Sequence, residues 1–153
     1  VTLGMKNLIG TFPGRTYGSV RSLVHDQAAG IERSGVAGAV IDIVRANKLG
    51  LVVIDASMAM EGNGPESGDL VKMDLIIAGT NPLATDMVGA NIMGFDPSAI
   101  PSFQWANNAG MQPQQLTQIE IRGESIASVK RNFRRPQIVP WSTARASFGA
   151  EEI

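Results

Sequence analysis

Leu51-Val52-Val53-Ile54, followed by Asp55-Ala56-Ser57-Met58-Ala59-Met60-Glu61-Gly62-Asn63-Gly64-Pro65-Glu66-Ser67-Gly68-Asp69, and then Asp74-Leu75-Ile76-Ile77-Ala78-Gly79, is the stretch on which the fold turns. Leu51 to Ile54 is a short, continuous apolar run after Asn47-Lys48-Leu49-Gly50, a helix-stop signal. A run of that kind reads as a buried strand. Asp74 to Gly79 reads as a second one. Between them, 55–69 reads as a loop leaving the carboxyl end of the first strand, where open α/β sheets bind ligands.

Working outward, Val36, Val40, Ile43 and Val44 recur at helical spacing. Asn81 followed by Pro82 is an N-cap with proline at the first helical position, and Gly94 is the matching stop for a helix over 83–93. A further helix is expected from Pro97 or Ser98 to Ala109. Gln118-Ile119-Glu120-Ile121-Arg122-Gly123 alternates polar and apolar, the pattern of a half-exposed edge strand. The order implies an α/β fold: a mostly parallel or mixed sheet flanked by helices, in a single domain. Residues 1–133 form that domain. Residues 134–153, with Pro136 and Pro140, read as a tail or arm that docks on a neighbour through Trp141 and Phe148.

Composition narrows the function. The chain has 153 residues, 44% hydrophobic and 18% charged, with a formal net charge of -1. Mean hydropathy is +0.05. This supports a packed core and argues against a nucleic-acid footprint. There is no cysteine, which excludes thiolate catalysis and Cys-ligated zinc or iron–sulfur clusters, and one histidine, which excludes a two-His metal site. There is no signal-peptide pattern, and no apolar run reaches the ~18 residues of a membrane span. A cytoplasmic location without a membrane span is the expectation. The mid-pattern start at Val1 points to a processed chain or a fragment of a larger α/β protein.

Three segments carry residues suited to chemistry. In 55–69, Asp55 and Glu61 supply hard oxygen ligands or a general base, and the glycines around Asn63 let a backbone approach a ligand. No Walker or dinucleotide glycine motif is present. The bland alternative is a surface loop with solvated acids. In Thr80-Asn81-Pro82-Leu83-Ala84-Thr85-Asp86, a helix N-terminus offers free N–H groups to an anion. There Asp86 either joins a site or steadies the helix dipole. Near the start, Lys6, Asn7 and Arg15 could meet an anionic group, or simply flank a buried Leu8, Ile9 and Phe12. His25 is the one side chain whose ordinary pKa lies near neutrality. The candidates are therefore His25, Asp55 and Glu61 for catalysis. Lys6, Asn7, Arg15, Gly62, Asn63, Gly64 and Asn81 are the candidates for ligand binding. Asp55, Glu61 and Asp86 are the candidates for a divalent metal such as Mg²⁺ or Ca²⁺. The basic run from Lys130 to Arg135 reads as a helix C-terminus or a solvated face.

Taken together, several of these motifs resemble the domain of unknown function 362 (DUF362) family, a prokaryotic family. They are Leu3-Gly4-Met5-Lys6-Asn7-Leu8-Ile9-Gly10 with Pro13-Gly14-Arg15, His25, and Ile41-Asp42-Ile43. Ile54-Asp55, Ala59-Met60-Glu61-Gly62-Asn63-Gly64-Pro65 and Gly79-Thr80-Asn81-Pro82-Leu83-Ala84-Thr85-Asp86 follow. Ile92-Met93-Gly94-Phe95-Asp96-Pro97 and Ile121-Arg122-Gly123-Glu124 complete the resemblance, which is expected to cover the family's C-terminal portion only. It implies an α/β domain and no settled activity. Some relatives carry ferredoxin-like cysteine clusters, a role that a chain without cysteine does not inherit.

Two functions follow as expectations. One is a polar strand-end pocket for a small anionic ligand, with or without a divalent metal. The other is a non-catalytic oligomeric assembly or partner-binding module, whose uncovered sheet is met by a second copy or by a missing N-terminal half.

Overall fold

From Val52 the backbone runs extended to Asn63, turns through Gly64, Pro65 and Glu66, and returns from Ser67 to Gly79. These two strands, β1 (Val52–Asn63) and β2 (Ser67–Gly79), pair antiparallel, with Val52 opposite Gly79 and Asn63 opposite Ser67. The computed structural model describes residues 1–18 and 35–137. Among them the sheet has these two strands alone.

This corrects the expected mostly parallel or mixed sheet: the fold is α/β, but its sheet is wholly antiparallel. The segment expected as a loop is mostly strand. Three residues between strands allow a hairpin and leave no room for the crossover that parallel pairing demands. A period of two runs through the acids and glycines. Ile54, Ala56, Ala59 and Glu61 are half-buried, while Val53, Asp55, Met58 and Met60 are exposed. Between the pairs Ala56–Leu75 and Met58–Lys72 the register slips, and Ser57 faces both Met73 and Asp74. Asp74 takes a left-handed backbone, φ 49°, at this bulge.

The helices, in chain order, are α1 (Leu3–Asn7), α2 (Gly14–Tyr17), α3 (Gly35–Asn47), α4 (Pro82–Ile92), α5 (Pro101–Asn108) and α6 (Ile126–Val129). Short 3-10 turns lie at Leu8–Thr11, Pro97–Ala99 and Leu116–Gln118. α4 starts as its sequence dictates, with Asn81 Oδ1 accepting from the Ala84 N–H at 3.0 Å and Pro82 at the first turn. The helix expected from 97 or 98 to 109 is broken, because Pro101 forces Ile100 to an extended ψ of 120°. The expected strand 118–123 is a 3-10 end followed by unpaired backbone, with no ladder partner among the described residues.

The core is helical. Met5 and Ile9 meet Val40, Ile41 and Val44 of α3, Leu83, Met87 and Ala90 of α4, and Phe103 and Ala106 of α5. The hairpin contributes only Val52 to the fully buried apolar set. Its base rests on α4. A Cβ at Gly79 would collide with Thr85 Oγ1. Its inner face is half-covered and its outer face is open. No helix of the described residues is long and apolar enough to cross a membrane.

Candidate functional site

Asp86 sits one turn into α4 and is 2% exposed. Its carboxylate accepts from the backbone N–H of Gly4 at 2.8 Å and of Met5 at 2.9 Å. Burial pushes its pKa up to about 6, against the pull of the Met5 and Gly4 N–H groups. Asp86 thus neutralises the first turn of α1, a different helix from its own. Gly4 permits the approach, since a Cβ there would collide with Val52 and lie 3.0 Å from Asp86 Oδ1. One turn further along α4, a Cβ at Gly89 would lie 3.0 Å from Leu3.

Asp55 lies elsewhere, exposed on the outer face of the hairpin. Its Oδ1 accepts from the Ser57 N–H at 2.9 Å and from the Ser57 hydroxyl, and these bonds hold its pKa below the usual carboxylate value.

Glu61 is on the inner face at the tip, opposite Asp69. Here the structure does bring expected residues together, around an unexpected one. The Arg134 N–H donates to Glu61 Oε2 at 2.8 Å, and its guanidinium pairs with Asp69 and reaches Glu61 Oε1 at 3.8 Å. The Gly62 N–H donates to the Arg134 carbonyl at 3.0 Å, and the Gln137 N–H donates to Asn63 Oδ1 at 2.7 Å. Gly62, with φ 74°, leaves room for the guanidinium that packs over it. Gly64 lies in the turn itself.

The chain from Lys130 to Gln137 is therefore a strap. The Arg131 and Phe133 N–H groups donate to the carbonyls of Ile92 and Met93, Phe133 is buried, and Arg135 lies 5.8 Å from the centre of the Phe95 ring. The basic run begins at a helix end, with Lys130 as the C-cap of α6, and then continues as this strap rather than as a simply solvated face. The signal for Arg134 was two carboxylates, Glu61 and Asp69, facing each other across a hairpin the sequence reading did not draw.

Asp55, Glu61 and Asp86 thus occupy three separate settings. Among the described residues no group of three Asp, Glu, His or Cys side chains is placed to hold a metal ion. Lys6 is half-buried on α1, and Asn7 and Arg15 are exposed. His25, Trp141 and Phe148 lie outside the described residues.

Asn81 alone of the expected ligand-binding residues lines the principal cleft. This cavity of about 740 Å³ has β2 from Leu75 to Gly79 on one side and residues 118–124 on the other. Ala84, Thr85, Val88 and Ile92 of α4 form its floor. Asn81 itself is occupied at both ends. Its Oδ1 caps α4, and its Nδ2 donates to the Gln112 carbonyl at 2.8 Å.

These features define an α/β domain of four-helix core and projecting antiparallel hairpin. The chain belongs to the family described as Domain of unknown function (DUF362), which matches residues 1–91. That span is the N-terminal and central part of this chain. It corrects the expectation of a C-terminal portion only, and it leaves the motifs at 92–97 and 121–124 outside the match. A thylakoid-associated protein of Synechocystis sp. is 31% identical over 113 residues, covering 74% of this chain and 34% of that protein. The chain thus spans about a third of the length of the curated relative that it matches. No solved structure matches it.

Proposed function

We propose that this chain is a partner-binding module, an α/β domain that presents one face of its hairpin to another polypeptide. The outer face of the hairpin carries the reading. Val53 is 58% exposed, Leu70 65% and Ile76 71%, with Met58 and Met60 on the same face. Val53 with Ile76, and Met58 and Met60 with Leu70, are exposed apolar groups on a face that also carries Asp55 and Lys72. Clustered exposed apolar surface is costly in water and marks interaction sites. A two-stranded hairpin is also marginal by itself, and its uncovered edges invite further pairing. The division into a domain at 1–133 and an arm at 134–153 belongs to this proposal, with Arg134 to Gln137 as the arm's anchored beginning.

Sedimentation velocity over a wide concentration range tests the reading. The expected result is reversible self-association of the chain, because the bare face pairs with itself when nothing else covers it. Leu70→Lys with Ile76→Lys is expected to suppress it without changing the circular dichroism spectrum. A strictly monomeric chain whose behaviour the double variant leaves unchanged would count against the proposal.

A second reading keeps a small anionic ligand at the strand end, with or without a divalent metal. One observation favours it: the cleft opens where β2 ends and α4 begins, beside Asn81. Its volume lies in the ordinary range for small-molecule sites, roughly 300–1,000 Å³. Thermal-shift titration with inorganic phosphate, Mg²⁺ and Ca²⁺ distinguishes the two. A rise that is lost in Asn81→Ala would favour the small ligand.

A further inference from the structure

We infer that the cleft between β2 and residues 118–124 is a slot for one short extended peptide segment, which adds to the free edge of β2 as a strand. The inference rests on the partner-binding reading and names the partner's chemistry. One long wall of the cleft is the extended edge of β2, and the other is the backbone that follows the Leu116–Gln118 3-10 turn, extended at Ile119. Among the described residues, Leu75–Gly79 is paired to β1 on one side only, and Gln118 to Gly123 carries a strand's alternation in its sequence without a strand's partner. The two walls line one cavity and exchange no backbone hydrogen bond among the described residues.

In an antiparallel pair every second residue turns its N–H and C=O away from its partner. The outer edge of β2 therefore offers donors and acceptors to the slot. Five residues of β2 set a length of about 17 Å, which is five residues of extended peptide. The floor supplies apolar contacts from Val88 and Ile92 of α4, and Ile119 and Ile121 stand on the facing wall. Such a slot buries far less than the roughly 1,200 Å² that a stable interface between folded surfaces needs, so its occupant is a short segment rather than a folded domain. The charges at the rim choose among segments. Arg122 is paired with Glu120 at 2.8 Å, and Glu124, which accepts from the Ser128 hydroxyl at 3.3 Å, is the charge of the lining with no ion-pair partner among the described residues. An occupant with alternating apolar residues and a flanking lysine or arginine complements this lining.

Selection of the whole chain against a displayed library of random nine-residue peptides tests this, followed by amide hydrogen exchange with the enriched peptides. Enriched peptides are expected to alternate apolar residues beside a basic one. They are expected to protect amides in 75–79 and 118–122. N-methylation of alternate peptide bonds is expected to weaken binding at least tenfold, and Glu124→Gln to weaken it less. Failure to enrich any peptide, or binders indifferent to N-methylation, would overturn the slot. Binders that protect only the outer face around Val53, Met60 and Leu70 would also overturn it while leaving the partner-binding reading standing. If binding instead follows inorganic phosphate and is lost in Asn81→Ala, the cleft is a small-ligand site and the slot is again overturned.

Discussion

Asp86 is a buried acid whose work is to hold a helix. Its two acceptor bonds satisfy N–H groups at the start of α1 that would otherwise be buried without partners. Asp86→Ala is expected to destabilise the domain by about 2–4 kcal/mol, the range for orphaning buried hydrogen-bonding groups, measured by urea unfolding. The group also sets a pH dependence. Its folded pKa of about 6 lies above its ordinary 3.8. The folded state therefore binds the proton more tightly than the unfolded state. This contribution is fully present below about pH 4 and is lost as the pH rises through 6. Between pH 8 and pH 5 the domain is expected to gain about 1 kcal/mol from this residue. The gain disappears in Asp86→Asn, so the difference between the two proteins isolates it. Asp55 and Asp96 are held below the usual carboxylate value, so they act in a lower window. The sequence reading put Asp86 in the first turn of its own helix, as a partner for that helix's dipole or as part of a site, whereas the residue lies beyond that first turn and accepts from Gly4 and Met5 instead. That the dipole belongs to α1, 81 residues away, is a tertiary fact that no local pattern carries.

At the scale of elements, the hairpin and its strap are the features least visible beforehand. Glycines and acids at 61–69 look like loop residues, and the alternation beneath them is interrupted by the bulge at Ser57. Helix punctuation was far more legible. Asn81, Pro82 and Gly94 act locally, so α4 was drawn nearly to its observed ends. The strap is held by exposed ion pairs and backbone bonds together. Exposed ion pairs are weak, so Arg134→Ala is expected to cost only about 0.5–1 kcal/mol of global stability. Its local effect is larger. Amide exchange at Gly62 and Gln137 is expected to accelerate while α4 stays protected. Unchanged exchange at those two amides would mean that the strap is held by its backbone and by Phe133 alone.

Over the whole molecule, stability resides in the helices and exposure in the sheet. Phe103 is 2% exposed at the centre of the helical cluster. Phe103→Ala is expected to cost about 3–5 kcal/mol, read from the urea midpoint, whereas Ile76→Ala on the outer face is expected to cost less than about 0.5 kcal/mol. Among the described residues foreseen as one pocket, Asn81 and Asp86 lie at the base of the hairpin, Asp55 on its outer face, and Glu61 and Asn63 at its tip. That grouping assumed strands pointing the same way, which would have gathered 55–69 and 80–86 at a common end. An antiparallel return places the Glu61–Asn63 tip at the opposite end of the hairpin from Asn81. Family membership was legible because it rests on linear motifs, whereas the site depends on strand direction.

The bond between Asp86 and the first turn of α1 also sets a timetable for synthesis. During synthesis Gly4 and Met5 are made more than eighty residues ahead of their partner. At common rates of translation that interval is on the order of ten seconds. Through it α1 lacks the carboxylate that holds its first turn in the folded domain. That contact closes only once α4 has been made.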